Sequence, residues 1–434
     1  MSTTPLTLSI AGQPTPITLP QVPGTRGHVG VDIRELNHSG FCSYDPGFAN
    51  TAGCQSAISW IDTENSVLLH RGYPVDQLAR QCDFLEVAYI MLNGDAPDEA
   101  SYQTFRETIT RHTLVHEQIA RMCSGFRRDS HPMALMCALV GALAAFYHDV
   151  LDVENPQHRA LAATRLLSKM PTIAAMSYKY TIEQPAAYPR NDLSYAGNFL
   201  QMLFAIPAEK YVLNPVIEQA MNQILVLHAD HGQCASTTTV RAAGSSGANL
   251  FACVAAGLAS LWGPMHGGAN ESSMRMLEEI ESVDQVPAFL RQAKRDPQAF
   301  RRLGFGNSRY RHRDPRADIL RETSHRVLAE VGMSDRLLQV AMALEDVALT
   351  DPYFVENGLS PSVDFYTAVI LKAMNLPSSM FAVVTAVGRT VGWVAHWNEM
   401  HQAPLTIYRP RQIYVGEGYR DYVSRRGERS TGPQ

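Results

Sequence analysis

Charge is scarce in this 434-residue chain: Asp, Glu, Lys and Arg together make up 18%, and the formal net charge is −5. Phosphate backbones demand a basic surface, so the balance argues against nucleic acid as a main partner. The seven cysteines (Cys42, Cys54, Cys82, Cys123, Cys137, Cys234, Cys253) are odd in number, contain no CxxC pair and mostly sit in apolar runs. That usage points to reduced, buried thiols and a cytoplasmic setting rather than a disulfide framework. No stretch approaches the ~18 consecutive apolar residues of a membrane span. The opening segment, MSTTPLTLSIAGQPTPITLP, lacks the basic n-region of a secretory signal. There is no Walker loop. GSSGAN at 244–249 is glycine-rich but has neither GxGxxG spacing nor a preceding strand, so a Rossmann site is unsupported. Internal repeats and low-complexity linkers are also missing.

What the chain has is apolar bulk, 45% of its residues, at a length for which two domains are the natural expectation. Residues 1–48 read as short strands separated by turn chemistry, with Leu6, Leu8 and Ile10 alternating before AGQP. Residues 58–74, ISWIDTENSVLLHRGYP, read as a hairpin with the polar tip Asp62–Ser66. From Pro74 to about residue 400 apolar residues recur at i, i+3 and i+4, the helical period. Helix starts are expected at Pro97-Asp98, Asp129–Pro132, Asn155-Pro156 and Asn191-Asp192. MALMCALVGALAAFYHDV is apolar all round, as a core helix would be.

Chemistry-bearing residues concentrate between Leu225 and Ser273 and in two later stretches, 304–317 and 360–380. His228, Asp230 and His231 lie close together, but without an HExxH pattern a metal site is not expected; a helix terminus or a substrate-binding histidine are the competing readings. His266, in GPMHGGAN, sits between Pro264 and the pair Gly267-Gly268, which places its imidazole at a backbone corner and suggests ligand-facing N–H groups. Asp364 follows Ser360-Pro361 in an apolar context, either as a helix cap or as a general base of raised pKa. Arg316, Arg389, Arg409 and Arg411 stand beside Pro, Gly or aromatic residues. Singly each reads as a structural ion pair; with His266 and Asp364 they suggest a pocket for a di- or tricarboxylate.

Through VDIREL, DPGF, LLHRGYPVDQLA, YIMLNGDAP, FRRDSHPMA, GALAAFYHD, YPRNDLSYAGNFL, SLWGPMHGGAN, VDFYTAVILKAMNLPSSMF, RTVGWVAHWNEM and RPRQIY, the chain resembles citrate synthases, in particular the hexameric type of Gram-negative bacteria. The resemblance implies a mainly α fold: an N-terminal β-rich region at 1–48, a large helical domain at 49–277, a smaller mobile domain inserted at 278–388, and a return to the large domain at 389–434. It also implies an acyltransferase that condenses acetyl-CoA with oxaloacetate or a related 2-oxo acid, without a cofactor or metal. Asp364 would take a methyl proton and His266 would hold the thioester oxygen. His231, Arg316, Arg389 and Arg409 would hold the oxo-acid carboxylates, the last from a neighbouring subunit, so that a dimer, and by subtype a hexamer, is expected. The same resemblance places an inhibitory NADH at Arg111, His112, Tyr147, Arg165 and Lys169; a solvated basic face is the alternative reading of the last two.

The departures cluster on one side. The family's GFGH is GFGN here, so Asn307 takes the place of the ketone-polarising histidine and Ser308 follows where arginine is usual. The family's HADHEQN is HADHGQC, and Met265 precedes His266 where a small residue is common. These changes leave the acetyl-CoA residues intact and alter those for the oxo acid. A specialised paralogue, or a catalytically weak CoA- or carboxylate-binding homologue, is therefore the competing expectation.

Overall fold

A computed structural model describes residues 5–11, 15–295, 304–305, 310, 313–332 and 335–422. The chain divides into two units, one made of residues 1–24, 28–52 and 408–434 and the other of 25–27 and 53–407. In the first, β1 (Leu6–Leu8) pairs antiparallel with β2 (Ile17–Leu19), and β3 (Gln21–Val22) with β4 (Gly30–Val31), as the alternation of short apolar residues predicts. Arg411 Nη2 donates to Asn37 Oδ1 at 3.0 Å and ties the C-terminal stretch to the N-terminal one within this unit.

The second unit holds nearly all of both stretches, 49–277 and 278–388, that the sequence reading divides. It begins with the expected hairpin: β5 (Ser59–Asp62) pairs with β6 (Val67–His70) in the register Ser59↔His70 to Asp62↔Val67, and β7 (Tyr73–Pro74) adds a third strand. Asp62 closes the tip by accepting from the N–H groups of Glu64 at 3.1 Å and Asn65 at 3.0 Å, an Asx turn.

Helices account for the rest. They run α1 (Val75–Gln81), α2 (Phe84–Asn93), α3 (Glu99–Thr110), α4 (Glu117–Met122), α5 (Pro132–Phe146) and α6 (Pro156–Thr181). Next come α7 (Tyr195–Phe204), α8 (Pro215–His228), α9 (Ala235–Gly244), α10 (Leu250–Leu261), α11 (Ala269–Glu279) and α12 (Val286–Ala293). The last are α13 (Pro315–Val331), α14 (Arg336–Thr350), α15 (Pro352–Glu356), α16 (Val363–Ala373) and α17 (Phe381–Met400). Three of the four expected starts carry their caps: Asp98 accepts from Ser101 N, His131 from Met133 N, and Asn155 from Gln157 N and His158 N. At Asn191-Asp192 the helix begins later, because Ser194 is the residue whose hydroxyl reaches an orphan amide, that of Gly197.

The core is organised on α17, which buries every residue from Phe381 to Trp397 and packs against α2, α6, α8, α9 and α10. The segment Ser378–Met400 is long and apolar enough to cross a membrane, but 89% of its most apolar window is enclosed by the protein, the signature of a core helix. Two glycines set how closely α17 meets the end of α8. A Cβ at Gly388 would lie 2.8 Å from Leu225 O, and one at Gly392 would lie 2.4 Å from Ala229 O. Arg389 lies between them, so this near-contact of backbones is what delivers its guanidinium to the residues following α8.

Candidate active site

The ends of several helices converge around Asp364. Ser362, not Asp364, caps α16: its Oγ accepts from the N–H groups of Asp364 at 3.1 Å and Phe365 at 3.3 Å, which removes the cap reading of the aspartate. Asp364 is free for chemistry. Burial pushes its carboxyl up to about 6, against the opposing pull of Arg316, with Asp314 adding to the rise and His266 and Arg389 subtracting from it. Asn270, fully buried on the first turn of α11, faces it. With the amide oriented to satisfy both ends, Nδ2 donates to Asp364 Oδ1 at 2.7 Å and to Asp364 O at 3.0 Å, while its oxygen accepts from Thr385 Oγ1 at 3.3 Å.

His266 lies at the corner between α10 and α11. Its glycines serve a different purpose from the one expected. Gly267 N donates to Leu261 O at 2.8 Å and Gly268 N to Gly263 O at 3.2 Å, so both amides are spent on the backbone. A Cβ at Gly267 would sit 2.6 Å from Leu261 O; the glycines allow the chain to double back on itself. Met265 is 97% exposed, so its side chain is not packed into the site.

The imidazole is held from behind. Ser236 Oγ lies 2.9 Å from His266 Nε2 and accepts from the indole Nε1 of Trp393 at 3.2 Å. Indole only donates, so the serine's own proton is free to go to the imidazole. Directed there, it leaves neutral His266 with its proton on Nδ1, a donor for a ligand oxygen.

The arginines arrive already engaged. Arg316 makes a two-pronged pair with Asp314, Nε to Oδ1 at 2.9 Å and Nη2 to Oδ2 at 2.7 Å, and donates from Nη1 to Leu227 O at 3.3 Å. Burial works against its charge, but Asp314 outweighs burial and holds the proton more firmly than usual. Arg389 donates from Nε to His228 O at 2.7 Å and from Nη1 to Cys234 Sγ at 3.1 Å. His231 Nε2 lies 3.2 Å from Tyr310 OH.

The three residues weighed as metal ligands diverge to separate partners. His228 Nδ1 bonds Ile224 O at 2.9 Å, and burial lowers that imidazole to about 3. Asp230 accepts from Gly232 N at 2.8 Å and faces His396 Nε2 at 3.3 Å. Burial would raise this carboxyl, but His396, Arg389 and His70 together hold it well below the usual range, so it is a buried counter-charge to Arg389.

Of the residues singled out from sequence, the structure brings together Asp364, His266, Arg316, Arg389 and His231. Arg409 lies exposed in the other unit, and Asn307 lies outside the described residues, as does His312. Of the residues just before Asn307, Gly304 O accepts from Ser362 N at 3.0 Å and the Phe305 ring packs 5.1 Å from that of Phe365. Gly304, at φ +93°, is required there, because a Cβ would fall 2.1 Å from Ser273 Oγ. Sequence reasoning missed Asn270, Ser236, Trp393, Tyr310 and Asp314. Asn270 was within reach, standing four residues after His266 in GPMHGGAN.

A second cluster forms around the Tyr147 ring. The guanidinium of Arg165 lies 4.7 Å and the ammonium of Lys169 5.2 Å from its centroid. Both cations are partnered: Arg165 pairs with Asp149 at 2.8 and 3.0 Å, and Lys169 Nζ donates to His112 O and, at 2.8 Å, to Leu114 O. Burial, with Arg165 nearby, lowers Lys169 to about 8. Arg111 is exposed and pairs with Glu107 at 3.1 Å.

Residues 47–411 match the family model described as citrate synthase, C-terminal domain. The chain belongs to the citrate synthase family. Citrate synthase from Pyrobaculum aerophilum is 31% identical and superposes with a TM-score of 0.81 over 88% of this chain and 94% of its own. Citrate synthase from Thermoplasma acidophilum, solved as a ternary complex with carboxymethyl coenzyme A and oxaloacetate, is 26% identical, with a TM-score of 0.79 over 88% of this chain and 99% of its own. The Thermotoga maritima enzyme is 28% identical, with a TM-score of 0.73 over 87% and 97%. The helical citrate synthase fold and an acyltransferase-type enzyme follow from membership.

Proposed function

We propose that the protein condenses acetyl-CoA with oxaloacetate or a related 2-oxo acid, releasing CoA and a citrate-like product. The observation that carries this reading is the pairing of a desolvated carboxylate, Asp364, with a back-held imidazole, His266, in one site. A thioester methyl is a very weak acid, so base and oxyanion donor must act together. Asp364 takes a methyl proton; His266 Nδ1–H holds the thioester oxygen as negative charge builds on it. The resulting enolate carbon bonds to the ketone carbon of the oxo acid as the C=O π pair moves onto oxygen. The alkoxide gains a proton to become the product hydroxyl, and water hydrolyses the new thioester to free CoA. CoA would lie near residues 377–380, and closure of the 278–388 segment would exclude water.

Family membership and the Thermoplasma complex of a CoA analogue with oxaloacetate support the substrate classes. The test is CoA release from acetyl-CoA with a panel of 2-oxo acids, the product identified by mass spectrometry; release with none of them would sink the reading. Asn307 can donate a hydrogen bond but is neutral and has no proton to give up to the alkoxide as it forms, so Asn307→His should raise oxaloacetate turnover by ~10²-fold, the scale of one oxyanion donor. An unchanged rate would remove Asn307 from the account.

Self-association is part of the proposal. The first unit exposes Phe41, Tyr44, Phe48, Ile413, Tyr414, Val415 and Tyr419, a wealth of apolar surface for a unit built on short strands. If Arg409 serves a neighbouring subunit, mixing inactive Arg409→Ala and Asp364→Asn chains restores part of the activity, and mixing without recovery contradicts that arrangement. On the resemblance we also propose a pyridine-nucleotide site at Arg111, His112, Tyr147, Arg165 and Lys169, for which a phosphate would have to displace Asp149 from Arg165. Calorimetry with NADH tests it.

A further inference from the structure

One nucleophilic group in the site has no part in the reaction above. Cys234, 6% exposed, lies between the His231 turn and α9. Its sulfur accepts from Arg389 Nη1 at 3.1 Å and lies 3.2 Å from Thr237 Oγ1 and 3.4 Å from Ser236 Oγ. Burial pushes this thiol up, yet the Arg389 guanidinium against its sulfur, the largest opposing cause, holds it well below the usual thiol range. The family's HADHEQN motif has asparagine at this position, a neutral group able to donate to a carboxylate. A thiolate only accepts.

We propose that Cys234 is a specificity-determining residue of the oxo-acid pocket: by occupying Nη1 of Arg389 it withdraws a cation from the substrate, so that the preferred electrophile is a 2-oxo acid with one carboxylate and a neutral tail. The inference rests on the condensing activity proposed above. Arg316 is balanced by Asp314, Arg389 meets Cys234 at Nη1 with the Asp230 carboxylate also near it, and both arginines act on Asp364, itself charged when it acts as base. A second substrate carboxylate would enter a desolvated site where the cations of this chain already have anionic partners. A neutral tail avoids that repulsion, and repulsion of the wrong substrate discriminates as well as attraction of the right one. The single carboxylate is left to His231, to whatever Arg316 can share, and to the Arg409 expected from a neighbouring subunit.

The experiment is calorimetric binding of two series of acids to the full chain, glyoxylate, pyruvate and 2-oxobutyrate against oxaloacetate and 2-oxoglutarate. It is run for wild type, Cys234→Asn and Cys234→Ser, with melting curves to confirm folding and CoA release measured in parallel. Wild type should favour the monocarboxylates by ~10-fold or more, the scale of one charge-assisted hydrogen bond. Cys234→Asn should shift the ratio toward dicarboxylates by ~10-fold, with Cys234→Ser between the two. A merely structural cysteine would weaken every acid alike; an unshifted ratio, or a wild-type preference for dicarboxylates, overturns the proposal while leaving condensation intact. CoA release with no acid at all sinks the condensing reading instead, and the two failures are thereby told apart.

Discussion

The two halves of the site solve opposite electrostatic problems. Around Asp364 the protein sets a carboxylate against the neutral amide of Asn270 and lets burial, against the pull of Arg316, raise its proton affinity. Around Arg316 and Arg389 it buries full charges and balances each at once, with Asp314 and with Cys234. The first arrangement makes a group reactive by denying it water. The second keeps charges tolerable by giving them partners, and so limits what they can offer a ligand. A base must be held in an unfavourable state, whereas an anion clamp must survive without its anion.

The sharpest way to break this contrast is to remove the base. Asp364→Asn should lower kcat by about 10²–10⁴-fold while leaving oxo-acid binding nearly unchanged; loss of binding instead would place Asp364 on the anion side. Ser236→Ala removes the hydroxyl that directs the His266 tautomer, and its cost should fall below the ~10²–10³-fold of deleting an oxyanion donor outright. It should appear in kcat more than in KM, read from steady-state kinetics with saturating acetyl-CoA.

The smallest effect is on stability, with a definite sign. The Asp364 carboxyl rises from 3.8 to about 6 on folding, so folding favours its protonated form. That contribution is full below pH 3.8, fades as pH rises, and above about pH 6 becomes the cost of holding a buried anion. Asp364→Asn should therefore raise the unfolding free energy above about pH 6 by about 1–3 kcal/mol, since the Asn270 amide offsets part of the cost, and lose that advantage at acid pH. An equal gain at all pH values would mean that the carboxyl is not desolvated.

Much of this was legible in the chain. Helical periodicity, caps and the 58–74 hairpin follow from local rules, and His266 and Asp364 stood out as polar residues at breaks in apolar segments. Local pattern could not tell a cap from a base at Asp364, because Ser362 does the capping and only the fold places Asn270 against the carboxylate. Nor could it foresee that the Gly267 and Gly268 amides turn inward to Leu261 and Gly263, since their carbonyl partners exist only once α10 ends. Ser236 and Trp393 read as ordinary helix residues until α9 and α17 meet.

The most direct test is deuterium exchange into the methyl group of acetyl-CoA in D2O, with a non-condensing 2-hydroxy acid filling the oxo-acid pocket. Wild type should exchange at a rate that climbs as pH passes about 6, and Asp364→Asn should not exchange above background. Equal exchange by the two proteins would show that some other group removes the proton.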